Sequence, residues 1–183
     1  MLLLDKLPSY TPSGLKIRND FRESIKFELL MQDNRIEDTD KIAIALNLYY
    51  YEVPYNIEKA IEEMLWFYRC GKELKTSQNT ERENKQIYSY EFDDELIYSA
   101  FKDQYNIDLN SIHFLHWWKF KALFEGLKED NKIVEIMGYR AVDLSKIKDK
   151  DEKARYKKLK KVYALPDMRT QEQKEADFGR AFW

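Results

Sequence analysis

The chain has 183 residues, 35% charged and 44% hydrophobic, with a formal net charge of −2. That balance fits a folded chain with a substantial core and excludes a disordered polyelectrolyte. It gives no global pull towards nucleic acid or an anionic membrane, so any basic surface has to be local.

The leader, residues 1 to 18, reads as extended. Its Met1-Leu2-Leu3-Leu4 start is apolar, but Asp5 and Lys6 end the run too early for a signal peptide or a membrane span. The Pro12-Ser13-Gly14 turn between Ser9-Tyr10-Thr11 and Leu15-Lys16-Ile17 suits a short β-hairpin. Asn19 is placed to cap a first helix reaching about Met31, with Asp20 in the first turn. Asp38 or Thr39 caps a second, from Asp40 to about Tyr50, apolar enough throughout to be buried. Pro54 breaks the chain and Asn56 caps a third helix, in which Ile57, Ala60, Ile61, Met64, Leu65 and Tyr68 form one face and Gly71 supplies the stop. Cys70 is the only cysteine, so no intrachain disulfide can form, which suits a reducing cytoplasm.

Lys72 to Tyr90 is charged and aperiodic and reads as a polar linker between an N-terminal lobe (1–71) and a C-terminal lobe (91–183). Asp93 and Asp94 open a helix through about Tyr105, with Leu96, Ile97, Ala100 and Phe101 inward. The stretch 112–127 then reads as the hub helix of the fold, apolar nearly all round and therefore central. At about 100° per residue, Ile112, Leu115, Ala122, Leu123 and Gly126 share one side, and Phe114 and Trp118 lie on the far side. A short helix from Asn131 ends at Gly138, and a basic helix runs from Asp151 to about Leu165 before Pro166. Thr170 and Gln173 have capping-box spacing for a last helix. The expected fold is mainly α, a compact multi-helix domain of about seven helices.

The chemistry-bearing residues favour packing over catalysis. His113 and His116 are three apart, one ligand short of a zinc site at least, and His116 reads as a hydrogen-bonded core or interface histidine. Asp93-Asp94-Glu95 is the acidic first turn that a helix dipole favours. Every glycine stands alone, which weighs against a phosphate-cradling loop. Nine basic residues between Lys146 and Lys161 could meet phosphates, although Leu159, Val162 and Tyr163 mark a stripe that packs on the domain. Lys119, at the centre of the apolar arc of the hub, requires a carboxylate or a subunit boundary. Trp66, Phe114, Trp118 and Lys119 are the candidate protein-contact residues. No catalytic, cofactor-binding or metal-binding residue is assigned.

Several strings carry a resemblance. They are Asn19-Asp20-Phe21-Arg22, Tyr90-Glu91-Phe92-Asp93-Asp94-Glu95, Ala100-Phe101, Tyr105-Asn106-Ile107-Asp108-Leu109, Leu115-His116-Trp117-Trp118-Lys119-Phe120 and Met137-Gly138-Tyr139-Arg140. In this order they resemble the bacteriophage "gene product fifteen" family of tailed phages and prophages of Gram-positive bacteria. The resemblance implies a non-enzymatic tail-module protein encoded near the tape measure protein, a gene position that belongs in many such phages to a tail assembly chaperone. It would work in the host cytoplasm, with the tape measure protein, the tail tube protein or further copies of itself as partners. The alternatives are a structural tail component retained in the virion and a nucleic-acid-binding protein using the basic helix 151–165.

Overall fold

The computed structural model describes residues 5–73 and 86–167. Among these residues seven helices form and no strand does: α1 (Phe21–Gln32), α2 (Asp38–Tyr49), α3 (Ile57–Tyr68), α4 (Asp94–Tyr105), α5 (Trp117–Glu125), α6 (Lys132–Ala141) and α7 (Lys150–Val162). The mainly α reading holds. Most of the linker (74–85) and the whole of the last expected helix from Thr170 lie outside the described residues.

The leader turns back at Thr11–Gly14, where the Gly14 N–H donates to the Thr11 carbonyl and Gly14 takes a positive φ of 85°. It makes isolated bridges (Tyr10 to Lys16, Ile17 to Tyr50) and not the strands of the expected hairpin. Its bonds go elsewhere. The Ser13 hydroxyl and N–H both donate to the buried Glu63 carboxylate of α3, at 2.6 and 3.1 Å. The leader is thus fastened to a helix.

The first helix is capped by Asp20, one residue later than expected, because the Asn19 carbonyl accepts from the Trp117 N–H at 2.9 Å. The Phe21 N–H reaches the Leu115 carbonyl at 2.9 Å in the same exchange. This pairing also shortens the hub. Residues 112–116 are held out of the helix, with the Arg22 guanidinium donating to the Leu109 and Ile112 carbonyls, and α5 starts only at Trp117. Its buried stripe is Trp117, Phe120 and Phe124, with Leu127 just beyond. Ala122 is exposed and Leu123 half-buried, so the arc drawn from a continuous helix is rotated.

Phe120, fully buried, is the centre of the core. Its ring stacks on Phe21 at 4.9 Å, Phe101 at 5.0 Å, Trp117 at 5.7 Å and Phe124 at 6.2 Å. Aromatic pairs at these separations add to the gain from burial. The core takes buried side chains from both sides of the expected linker, and Ser89 and Tyr90 at the linker's end are themselves buried. Asp93 and Arg140, also buried, form a two-pronged pair (2.6 and 2.9 Å) that joins the start of α4 to α6.

Two helices differ from their sequence reading in a way that matters for function. α2 has α1 and α3 as its main neighbours and buries only Lys41, Ala45, Leu46 and Tyr49, leaving Ile42 and Ile44 exposed. α7 packs on α6 without burying any residue, and Val162 of its expected stripe is exposed. It ends at Tyr163, before Pro166 is reached. α6 continues past Gly138 to Ala141, because a lone glycine in a helix interior is tolerated at a modest cost.

Candidate interaction surfaces

His116 sits where the two most distinctive strings of the sequence meet. As the N-cap of α5, its Nδ1 accepts from the Trp118 N–H at 3.1 Å, so Nε2 carries the proton and donates to the Pro8 carbonyl at 3.0 Å. Burial lowers the pKa of the ring below its ordinary value, while the Pro8 bond acts the other way. A neutral imidazole satisfies both bonds, and a second proton would remove the acceptor that caps the helix. His113 is exposed and joins no such network.

Trp66 and Trp118 come together, edge to face at 5.6 Å, and both are half-buried. The Trp118 indole N–H donates to the Phe67 carbonyl at 2.8 Å, which fixes the ring against α3. Gly71 makes the approach possible. Its φ is +72°, and a Cβ there would meet the Trp118 ring at 3.1 Å. Phe114, outside the helix and half-exposed, continues the row through His116 (6.5 Å to His116, then 6.0 Å to Trp118). Three of the four candidate contact residues therefore form one aromatic edge. Lys119 is a correction: α5 turns it outwards to solvent, so it needs no buried carboxylate.

A second surface was not read from the sequence. In the connection from α2 into the first residue of α3, Tyr51, Val53, Tyr55 and Ile57 are all exposed, Tyr55 by 107% of its reference area. The loop is anchored at both ends. Tyr50 is buried with its hydroxyl on the Ala60 carbonyl at 2.8 Å, and Asn56 caps α3 through the Lys59 N–H. The alternation of 51, 53, 55 and 57 was visible as a pattern, but Pro54 marked the stretch only as a break.

Asp93 and Cys70 are both held within the fold. Asp93 accepts from Arg140 and from the Ser89 N–H, and burial pushes the Cys70 thiol up to about 11, so it stays protonated at neutral pH. Among the described residues no group of three or more His, Cys, Asp or Glu is arranged to hold a metal. No described helix is long and apolar enough to cross a membrane. The strings that carry the resemblance instead meet one another: Asn19–Phe21 with Leu115–Trp117, Asp93 with Arg140, and Phe101 with Phe120 and Tyr105.

No curated protein and no solved structure matches the chain. A family model described as Bacteriophage Gp15 protein does match, over residues 3–165. That span holds all seven described helices and each of the paired strings that build the junctions around Phe120, and by it this chain belongs to the bacteriophage Gp15 protein family.

Proposed function

We propose that this protein is a non-enzymatic tail assembly chaperone that binds the phage tape measure protein in the host cytoplasm. It would shield apolar surface of that long helical client until tail tube subunits replace it. The observation that carries the reading is the anchored loop 51–57, which presents four exposed apolar side chains beside charged ones. A surface of this kind on a folded domain generally marks a partner site. Two tyrosines supply area and hydrogen-bonding tips at little entropic cost.

The test is co-expression with the tape measure protein. A chaperone keeps the client soluble and co-purifies with it, gives it up when tail tube protein is added, and is absent from purified virions by mass spectrometry. Recovery in virions at a fixed ratio to the other tail proteins would make it a structural tail component instead.

A further inference from the structure

We propose that the outward face of α7 binds the phosphate backbone of double-stranded nucleic acid, through Lys153, Lys157, Lys158 and Lys161 and without regard to base sequence. This activity is independent of the chaperone role.

α7 is fastened by one side. Tyr156, Leu159, Lys160 and Tyr163 are half-buried. The Tyr139 ring of α6 lies 6.4 Å from Tyr156 and stacks on Tyr163 at 5.7 Å, and Lys160 Nζ donates to the Val142 carbonyl. On the other side Lys153, Lys157, Lys158 and Lys161 are exposed, within about 140° of arc and over about 12 Å of helix. Lys153 and Lys157 stand four residues apart, as do Lys157 and Lys161, a spacing at which like charges destabilise a helix. α7 buries no residue, so packing does not require this row.

The neighbours do not offset it. Over residues 132–161 eleven Lys and Arg stand against five Asp and Glu, in a chain whose net charge is −2. Of those acids, Glu135 pairs with Lys132, Asp143 pairs with Lys146, and Asp149 caps α7. Asp151 and Glu152 lie in the first turn, and α7 holds no acid from Lys153 to Val162. Glu129 and Asp130, ahead of α6, are flanked by Lys128 and Lys132. The four lysines of the row are in no ion pair among the described residues.

A row of this kind fits a linear polyanion. A protein partner is a poor match, because interface cores are depleted in lysine and exposed ion pairs contribute little. An anionic membrane is a plane, and it would also meet the acidic excess that the chain carries outside residues 132–161. A DNA duplex carries about one charge per 1.7 Å of axis, and each lysine that meets a phosphate releases condensed counterions, which gives affinity without an apolar core. Tyr156 and Tyr163 are engaged with Tyr139 and are not free to stack on bases, which favours a duplex over a single strand. Phosphate contacts fix position on the backbone and carry no sequence information.

The experiment measures anisotropy of two labelled DNA duplexes of matched length and unrelated sequence against the full chain, from about 50 to about 200 mM salt. Both are expected to bind alike and to weaken about 100-fold over that range, as about four phosphate contacts require. Lys157→Gln, Lys158→Gln and Lys161→Gln together should weaken binding about tenfold or more and lower the salt slope by about three, at unchanged melting temperature. Arg at the same three positions should keep the binding, and Tyr55→Ser should leave it unaltered. The tape measure complex should survive in the Gln variant, so loss of DNA and loss of the client are read separately. Absence of binding at low salt overturns the proposal, as does wild-type binding by the Gln variant or a strong preference for one duplex. Tighter binding to vesicles of anionic lipid, or equal binding to polyglutamate, also overturns it, with a membrane or an acidic protein as the occupant.

Discussion

His116 couples one proton to the start of a helix. Its folded pKa lies below the ordinary value because burial disfavours the charged ring. The unfolded chain therefore takes up the proton first. The contribution is fully present above the ordinary histidine value near 6.5 and is lost as pH falls from there through the folded pKa. Urea unfolding from pH 8 to pH 5 should show a loss of stability in the wild type that is smaller in His116→Gln. The sequence reading of His116 as a hydrogen-bonded core residue was right about its surroundings, since burial and two partners are both found. Leu123, placed on the inward arc with Leu115, packs against the core but is only partly buried, because that arc extended a helical wheel through residues that are not helical. Phe120→Ala should therefore cost about 3–5 kcal/mol, and Leu123→Ala distinctly less, by denaturant titration.

Helices were legible where their signals are local. Asn56 caps α3, the first turn of α4 is acidic, and Gly71 takes a left-handed φ just after α3, all as the spacing indicates. They were illegible where a distant segment supplies the partner. Residues 112–116 have every local reason to be helical, yet they lose that contest to backbone pairing with 19–21 and to the Arg22 guanidinium. In the same way Asp93 looked like a dipole-favoured acid and is a buried anion, because Arg140 lies 47 residues away in sequence. Breaking that pair by Asp93→Asn or Arg140→Met should cost about 3–5 kcal/mol, since each leaves a buried charge alone. The double variant should cost less than the sum, which a double-mutant cycle reads directly. The α7 lysines predict the contrary outcome. Lys157, Lys158 and Lys161 are exposed, so changing them to Gln should move stability by no more than about 0.5 kcal/mol. Tail assembly should also persist; its failure in a folded variant, together with a salt-sensitive DNA complex in the wild type, would favour the nucleic-acid reading.

Across the whole molecule the two aromatic surfaces differ in kind, and that difference can be measured. The Trp66–Trp118 edge is half-buried and joins α3 to α5 through the indole bond to Phe67, so it serves the fold even if a partner also touches it. Tyr55 touches the fold so little that its exposure exceeds the reference value. Sequence could not separate the two, because a tryptophan beside charged residues and a tyrosine in a loop both read as surface. Trp118→Ala removes the half-buried ring and its indole bond to the Phe67 carbonyl, which keeps only the Cys70 N–H, and should cost about 1–3 kcal/mol and lower the melting temperature visibly. Tyr55→Ser should leave the melting temperature in place and, under the proposed chaperone role, weaken the complex with the tape measure protein. If Trp118→Ala melts like wild type and abolishes the complex while Tyr55→Ser binds normally, the client docks on the tryptophan edge and the loop is only surface.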